Sequence, residues 1–184
     1  MENNDLALIL IDIQNDYFPG GKNELENSIQ AGQNAARILS HFRLQHLPLV
    51  HIQHISNRPG ATFFLPETNG AEIHPLLKPA EGETIFQKHF PNSFRDTPLL
   101  DHLHRLGVKR LVFAGMMTHM CVDATTRAAN DFGFDCLLIH DSCATRVLRF
   151  KDLEIPAAHV HGSFLAALAS YAKILSTDEL LMQM

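Results

Sequence analysis

The chain has 184 residues, of which 46% are apolar and 19% charged, a balance typical of a folded globular protein. With 15 basic and 20 acidic residues the formal net charge is −5, which argues against a nucleic-acid or anionic-membrane partner. No apolar run is long enough to span a bilayer, and the acidic N-terminus lacks the positive region of a secretory signal. Three cysteines without framework spacing indicate reduced thiols, so we expect a cytoplasmic protein.

The first half of the chain predicts three strands and one long helix. Apolar residues run from 6 to 13 and predict a central strand that ends in loop chemistry at residues 15–21. Helical spacing of Ala35, Ile38, Leu39 and Phe42 predicts a helix that begins near Ser28. Strands are predicted at 49–55 and 84–88. Between them, residues 56–83 have no clear period and are expected to form a functional loop or an oligomer contact.

The second half continues the alternation of strand and helix. Helices are predicted at about 98–106, 119–132, 157–170 and from 177, and strands at 110–114, 136–140 and 173–175. This alternation predicts one α/β domain over residues 1–184, with a six-stranded, mainly parallel sheet and helices on both faces.

Three residues at predicted strand ends differ in chemistry from the apolar runs that precede them. Asp12 follows the first strand, Lys88 ends the third, and Cys121 lies just beyond the fourth. Open parallel sheets bind ligands at this edge. A thiol in a first helical turn beside an ammonium favours the thiolate, so Cys121 is a candidate nucleophile. For each residue taken alone, packing, capping or a surface charge is a more common explanation than catalysis, and packing is what we expect for Cys136 and Cys143.

At these residues the sequence resembles the isochorismatase-like cysteine hydrolases. The resemblance is carried by Asp-x-Gln-Asn-Asp at residues 12–16, by Gly-Ala-Glu-Ile-His-Pro at 70–75, and by Gly-Met-Met-Thr-His-Met-Cys-Val at 115–122. It also includes Ser-Phe at 93–94, Thr-Arg-Ala at 126–128 and Asp-Ser-Cys-Ala-Thr at 141–145. The matched motifs extend over nearly the whole chain.

The resemblance implies a three-layer fold and a catalytic triad of Asp12, Lys88 and Cys121. It further implies a cis peptide between Met116 and Met117, and an oxyanion hole made by the backbone N–H groups of Met117 and Cys121. The reaction it implies is hydrolysis of a small amide through a thioester, with Asp12 moving the protons. Two alternatives stay open: hydrolysis of a vinyl ether, as in isochorismatase, and a ligand-binding or thiol-redox protein without turnover.

The twelve histidines raise the question of a metal site. Metal-containing relatives resemble one another in an Asp-x-His pair after the second strand, which this chain lacks. His51 and His54 lie three apart on a strand and are expected on opposite faces, so no metal and no other cofactor is predicted.

Apolar side chains near the catalytic edge predict a pocket for a small substrate. Phe18, Phe94, Met116 and Met120 are the predicted substrate-binding residues, and Phe63, Phe64 and Phe90 are further possibilities. The resemblance also implies a homo-oligomer.

Overall fold

A computed structural model describes residues 5–184 and contains a six-stranded parallel sheet with strand order β3-β2-β1-β4-β5-β8. Its strands are β1 (Leu6–Ile11), β2 (Leu49–His54), β3 (Thr84–Lys88), β4 (Arg110–Met116), β5 (Asp135–Ala144) and β8 (Lys173–Leu175). The predicted fold class, a single-domain α/β protein with a parallel sheet, is confirmed.

Five α-helices flank the sheet. They are α1 (Ser28–Leu44), α2 (Leu99–Arg105), α3 (Asp123–Asp131), α4 (Ala157–Leu168) and α5 (Thr177–Gln183). Residues of α1 and α5 belong to the core on one face, whereas residues of α2, α3 and α4 belong to the core on the other. The result is three layers with two apolar cores.

The composition of β1 explains why it lies at the centre of the sheet. All its side chains are buried, and alternate residues point into opposite cores: Leu6, Leu8 and Leu10 into one, Ala7, Ile9 and Ile11 into the other. A strand whose residues are apolar on both faces is stable only between two covering layers. Its neighbours β2 and β4 both pair with it in parallel.

Three predicted strand ends were wrong by two residues or more. The strand β4 ends at Met116 rather than at residue 114. The first strand ends at Ile11 rather than at residue 13, because Asp12 adopts a left-handed backbone with φ 51° that cannot continue a strand. In β5 the predicted end at residue 140 followed the end of the apolar run. The structure continues the strand to Ala144, since pairing with β4 resumes at Gly115 and Met116 after a register shift.

A small antiparallel hairpin, β6 (Leu148–Phe150) with β7 (Leu153–Ile155), was not predicted. Each of its strands has three residues, too few for a periodic pattern. The predicted irregular segment 56–83 contains two single 3₁₀ turns, Asn69–Ala71 and Pro75–Leu77, and is otherwise without regular structure.

Gly115 in β4 allows the two central strands to approach each other. Its φ is +145°, and a methyl group on its Cα would overlap the carbonyl oxygen of Ile11. Only glycine fits this close contact. Gly115 therefore fixes the spacing between the ends of β1 and β4.

The order of the strands reverses direction between β1 and β4, and the carboxyl ends of such strands are where open parallel sheets bind ligands. Asp12 and the turn after Met116 both lie at this point. Within residues 5–184, no helix combines the length and the apolar character needed to cross a bilayer.

Candidate active site

Asp12 and Lys88 form a buried ion pair at the carboxyl edge of the sheet. Lys88 Nζ lies 2.7 Å from Asp12 Oδ2, and neither side chain is exposed to solvent. The pair joins the residue after β1 to the last residue of β3, across β2. The sequence predicted both residues as site candidates, and the structure brings them into direct contact.

Lys88 is held in place by further acceptors. Its ammonium also donates to the carbonyl oxygens of Phe90 at 3.1 Å and Pro91 at 3.3 Å, and it lies 3.4 Å from His54 Nδ1. Burial lowers the pKa of Lys88, but the charge of Asp12 opposes this effect and the pKa is raised overall. Lys88 is therefore a fixed positive charge.

Cys121 lies in a π-helical turn, Thr118–Val122, that leads directly into α3. The peptide bond between Met116 and Met117 just before this turn is cis. The hydroxyl of Thr118 is anchored between the carbonyl oxygen of Ala144 at 3.3 Å and His161 Nδ1 at 2.9 Å. The turn carrying the thiol is therefore tied to both β5 and α4. We predicted an ordinary helix from 119; π turns of this kind recur at functional sites.

The Cys121 sulfur lies next to the ion pair of Asp12 and Lys88. A carboxylate oxygen of Asp12, a ring nitrogen of His54 and the sulfur of Cys121 all lie within 4.8 Å of one another. Burial and the Asp12 charge raise the pKa of Cys121 well above its usual range, and Lys88 offsets only part of this effect. The expectation that the thiol rests as a thiolate is therefore wrong. It counted the helix start and the ammonium, but neither burial nor the neighbouring carboxylate.

His54 is the residue that the sequence analysis missed at this centre. Alternation along β2 separates it from His51, which instead contacts Glu83 at 2.9 Å. His54 joins Asp12 and Cys121 as a third possible metal ligand. Burial lowers the pKa of His54 to about 4, so the ring is neutral at pH 7 and able to bind a cation. The Lys88 ammonium beside it opposes a second positive charge at this point.

A cavity of about 100 Å³ opens above Cys121. Its apolar wall is formed by Tyr17, Phe63, Pro91, Met117 and Met120. Its polar wall is formed by His54, Ser56, Asn57, Arg58 and His89. A larger cavity of about 550 Å³ lies around the first residues of β1, β4 and β5, away from the ion pair. The small cavity is the candidate site because only it contains Cys121.

The predicted substrate-binding residues lie in different places. Met120 lines the cavity and is 41% exposed. Phe18, Phe94 and Met116 do not line it, so their assignment is corrected. The Phe18 ring stacks on His74 with centroids 3.6 Å apart. Phe94 packs against Phe132 and Phe134, and Met116 is fully buried as part of β4.

Tyr17 and Phe63 take the places that the sequence analysis gave to Phe18 and Phe94. Asp16 explains this arrangement, since its carboxylate accepts the backbone N–H groups of Phe64 at 2.7 Å and Lys22 at 3.0 Å. The loop that carries Phe63 is thereby tied to the segment after β1. The signal was present in the Asn-Asp-Tyr-Phe run at 15–18, but sequence alone did not show which aromatic residue faces the site.

Comparisons with known proteins agree with the fold. The isochorismatase domain family matches residues 6–170. An uncharacterized isochorismatase family protein of Bacillus subtilis (strain 168), YddQ, is 51% identical over 95% of this chain and 98% of its own length. A crystal structure from Oleispira antarctica, described as a candidate isochorismatase hydrolase, is 47% identical with a TM-score of 0.94, covering 99% of this chain and 98% of that one.

A streptothricin hydrolase of Streptomyces noursei is 34% identical over 83% of this chain and 56% of its own length. The fold and these similarities define a hydrolase whose single domain has a parallel sheet between two layers of helices. The chain belongs to the isochorismatase family, as its motifs predicted.

Proposed function

We propose that this hydrolase cleaves the C–N bond of a small amide through a thioester on Cys121. The observation that carries the proposal is the arrangement of Asp12: its Oδ2 is bonded to Lys88, whereas its Oδ1 is buried without a hydrogen-bond partner. An unpaired buried carboxylate oxygen is costly unless it has a use. The Cys121 thiol is the group within reach that has a proton to give.

The first step is proton transfer coupled to attack. The resting thiol is neutral, so Asp12 accepts its proton as the sulfur forms a bond to the carbonyl carbon of the substrate. Lys88 stabilises the sulfur while it carries negative charge. We propose that the backbone N–H groups of Met117 and Cys121 donate to the carbonyl oxygen, which becomes an oxyanion in the tetrahedral intermediate.

The second half of the proposed reaction regenerates the Cys121 thiol. Asp12 gives its proton to the leaving nitrogen, the C–N bond breaks, and ammonia or an amine departs. Asp12 then accepts a proton from water as the water oxygen attacks the thioester, and it gives that proton to the sulfur as the C–S bond breaks. One water is consumed, and one carboxylic acid and one amine are released.

Mass spectrometry of the intact protein, incubated with a library of small amides, tests the proposal directly. We expect an acyl adduct on Cys121 in the wild type, none in Cys121→Ala, and turnover of the variant below about a thousandth of the wild type. Asp12→Asn should also lose turnover. Cys143→Ala is the matched control, because it removes a buried thiol that does not line the cavity. Release of acid and amine by folded Cys121→Ala would contradict the proposal.

The two alternatives give different results in the same preparation. A thiol-redox function requires a disulfide between Cys121 and a resolving partner, but Cys121, Cys136 and Cys143 line three different cavities. A vinyl-ether substrate would be consumed without an acyl adduct, so turnover of such a compound by Cys121→Ala would favour the isochorismatase reaction.

A further inference from the structure

The lining of the candidate cavity carries positive but no negative charge, although the chain as a whole is acidic. Arg58 and His89 line the cavity, and none of its lining residues is acidic. The Asp12 carboxylate beneath it is paired with Lys88 at 2.7 Å. In a chain of net charge −5, the lining of this cavity thus carries the positive charge of Arg58 and no negative charge.

We propose that the substrate is an amide that also bears a carboxylate, held by Arg58 while the amide carbonyl lies over Cys121. The inference rests on the proposed function and names the substrate class of the same site. A guanidinium donates two parallel hydrogen bonds to a carboxylate, which fixes the orientation of the ligand as well as its position.

Arg58 is free to bind a ligand. Within residues 5–184 its guanidinium makes no ion pair and no hydrogen bond, whereas the guanidinium groups of Arg43 and Arg110 are each bonded to an acidic side chain through two nitrogens. Arg58 lines the cavity and is itself exposed, so its guanidinium is accessible to a ligand that enters from solvent.

His89 is a further polar residue of the cavity lining. Its Nδ1–H donates to the carbonyl oxygen of Ile55 at 2.8 Å, so this nitrogen is already used and the ring orientation is fixed. The other ring nitrogen remains for a hydrogen bond with the ligand.

The size of the cavity limits the substrate further. A volume of about 100 Å³ admits only a short molecule. Tyr17, Phe63 and Met117 contribute apolar surface to the same cavity, which suits methylene groups between the two polar ends. The predicted substrate is therefore a short monoamide of a dicarboxylic acid.

Matched primary amides of equal length test this inference. Succinamate carries a terminal carboxylate, 4-oxopentanamide a neutral ketone, and 4-aminobutanamide an ammonium. We expect kcat/KM for ammonia release to be about 10- to 100-fold higher for succinamate than for the other two, because hydrogen bonds to charged groups have this strength. Arg58→Gln should lower kcat/KM for succinamate more than for the other two amides, and so remove this preference.

Arg149→Gln is the control for loss of one positive charge, since Arg149 lies on the exposed hairpin and does not line the cavity. It should leave all three values unchanged. Equal turnover of the three amides, or an equal loss for all of them in Arg58→Gln, would overturn the inference while leaving the amidohydrolase proposal intact.

A second readout does not depend on turnover. Succinate should protect Cys121 of the wild type from alkylation by iodoacetamide at lower concentration than pentane-2,4-dione, and protection should be lost in Arg58→Gln. Protection without turnover of any amide would support the anion site and refute the proposed function. Absence of preferential protection by succinate would refute the anion site.

Discussion

The buried pair of Asp12 and Lys88 should dominate the stability of the site. At a separation of 2.7 Å, Coulomb's law with an effective dielectric constant of about 20 gives an attraction of about 6 kcal/mol. Much of this offsets the desolvation of the two charges, so the net effect of the intact pair is smaller. Removal of one partner leaves the other charge buried and unpaired. Lys88→Met should therefore lower the free energy of unfolding by about 3–5 kcal/mol.

Asp12→Asn should lower the free energy of unfolding less, because the Lys88 ammonium keeps the carbonyl oxygens of Phe90 and Pro91 as acceptors. Asparagine also tolerates the left-handed backbone at residue 12. In the double variant neither charge is left unpaired. Its loss should be smaller than the sum of the two single losses by about 2–3 kcal/mol.

Urea unfolding followed by circular dichroism measures the four free energies of this cycle. Arg149→Met is the matched control: Arg149 pairs with Glu154 at 2.7 Å, but the two side chains are 78% and 58% exposed. Its loss should be below about 1 kcal/mol. If the losses of Asp12→Asn and Lys88→Met add within about 0.5 kcal/mol, the two groups are not coupled and the description of the site is wrong.

Three further predictions concern reactivity, pH and packing. Asp12→Asn should abolish turnover yet speed alkylation of Cys121 at pH 8, since the carboxylate contributes to its raised pKa; unchanged alkylation would refute that contribution. Glu83 has a pKa lowered to about 2, mainly by hydrogen bonds from arginine, so its stabilisation is complete above about pH 4.5 and lost as pH falls toward 2. Glu83→Gln should therefore unfold more easily than wild type at pH 7, with the difference vanishing near pH 2 in thermal denaturation. Gly115→Ala should lower the free energy of unfolding by at least about 3 kcal/mol. Gly162→Ala is the control: the added methyl group meets open space in a helix, so this variant should raise the free energy of unfolding by about 0.5–1 kcal/mol. Equal effects of the two substitutions would contradict the close approach described for residue 115.

The layered fold was predictable because its strands and helices have strong periodic patterns. The apolar pattern of β1 gave its bounds within two residues, and the helical spacing within α1 gave the start of that helix at Ser28. The hairpin β6–β7 and the end of β5 were not predictable, since three-residue strands and a polar strand end depend on pairing with neighbours rather than on local pattern. Sequence periodicity carries no information on such pairing.

The candidate site was predictable in its chemistry but not in its surroundings. Strand ends located Asp12, Lys88 and Cys121, because the topology of a parallel sheet brings such ends together. The ionisation state of Cys121 depends on burial, which a motif does not show. The choice between Tyr17 and Phe18 depends on how Asp16 ties down the loop. The expected homo-oligomer and cytoplasmic location stay predictions, and light scattering tests the first.

The hydrogen bond from the Phe64 N–H to Asp16 separates the residues proposed to carry out the reaction from those proposed to select the substrate. The groups proposed to carry out the chemistry are held by strand ends and backbone carbonyls, whereas Asn57, Arg58 and Phe63 belong to a surface loop that Asp16 fastens next to Phe63, at Phe64. Substitutions in the loop upstream of that fastening point change what enters the cavity without moving the sulfur. Related enzymes that share this scaffold are thus able to differ in substrate specificity while they keep one reaction.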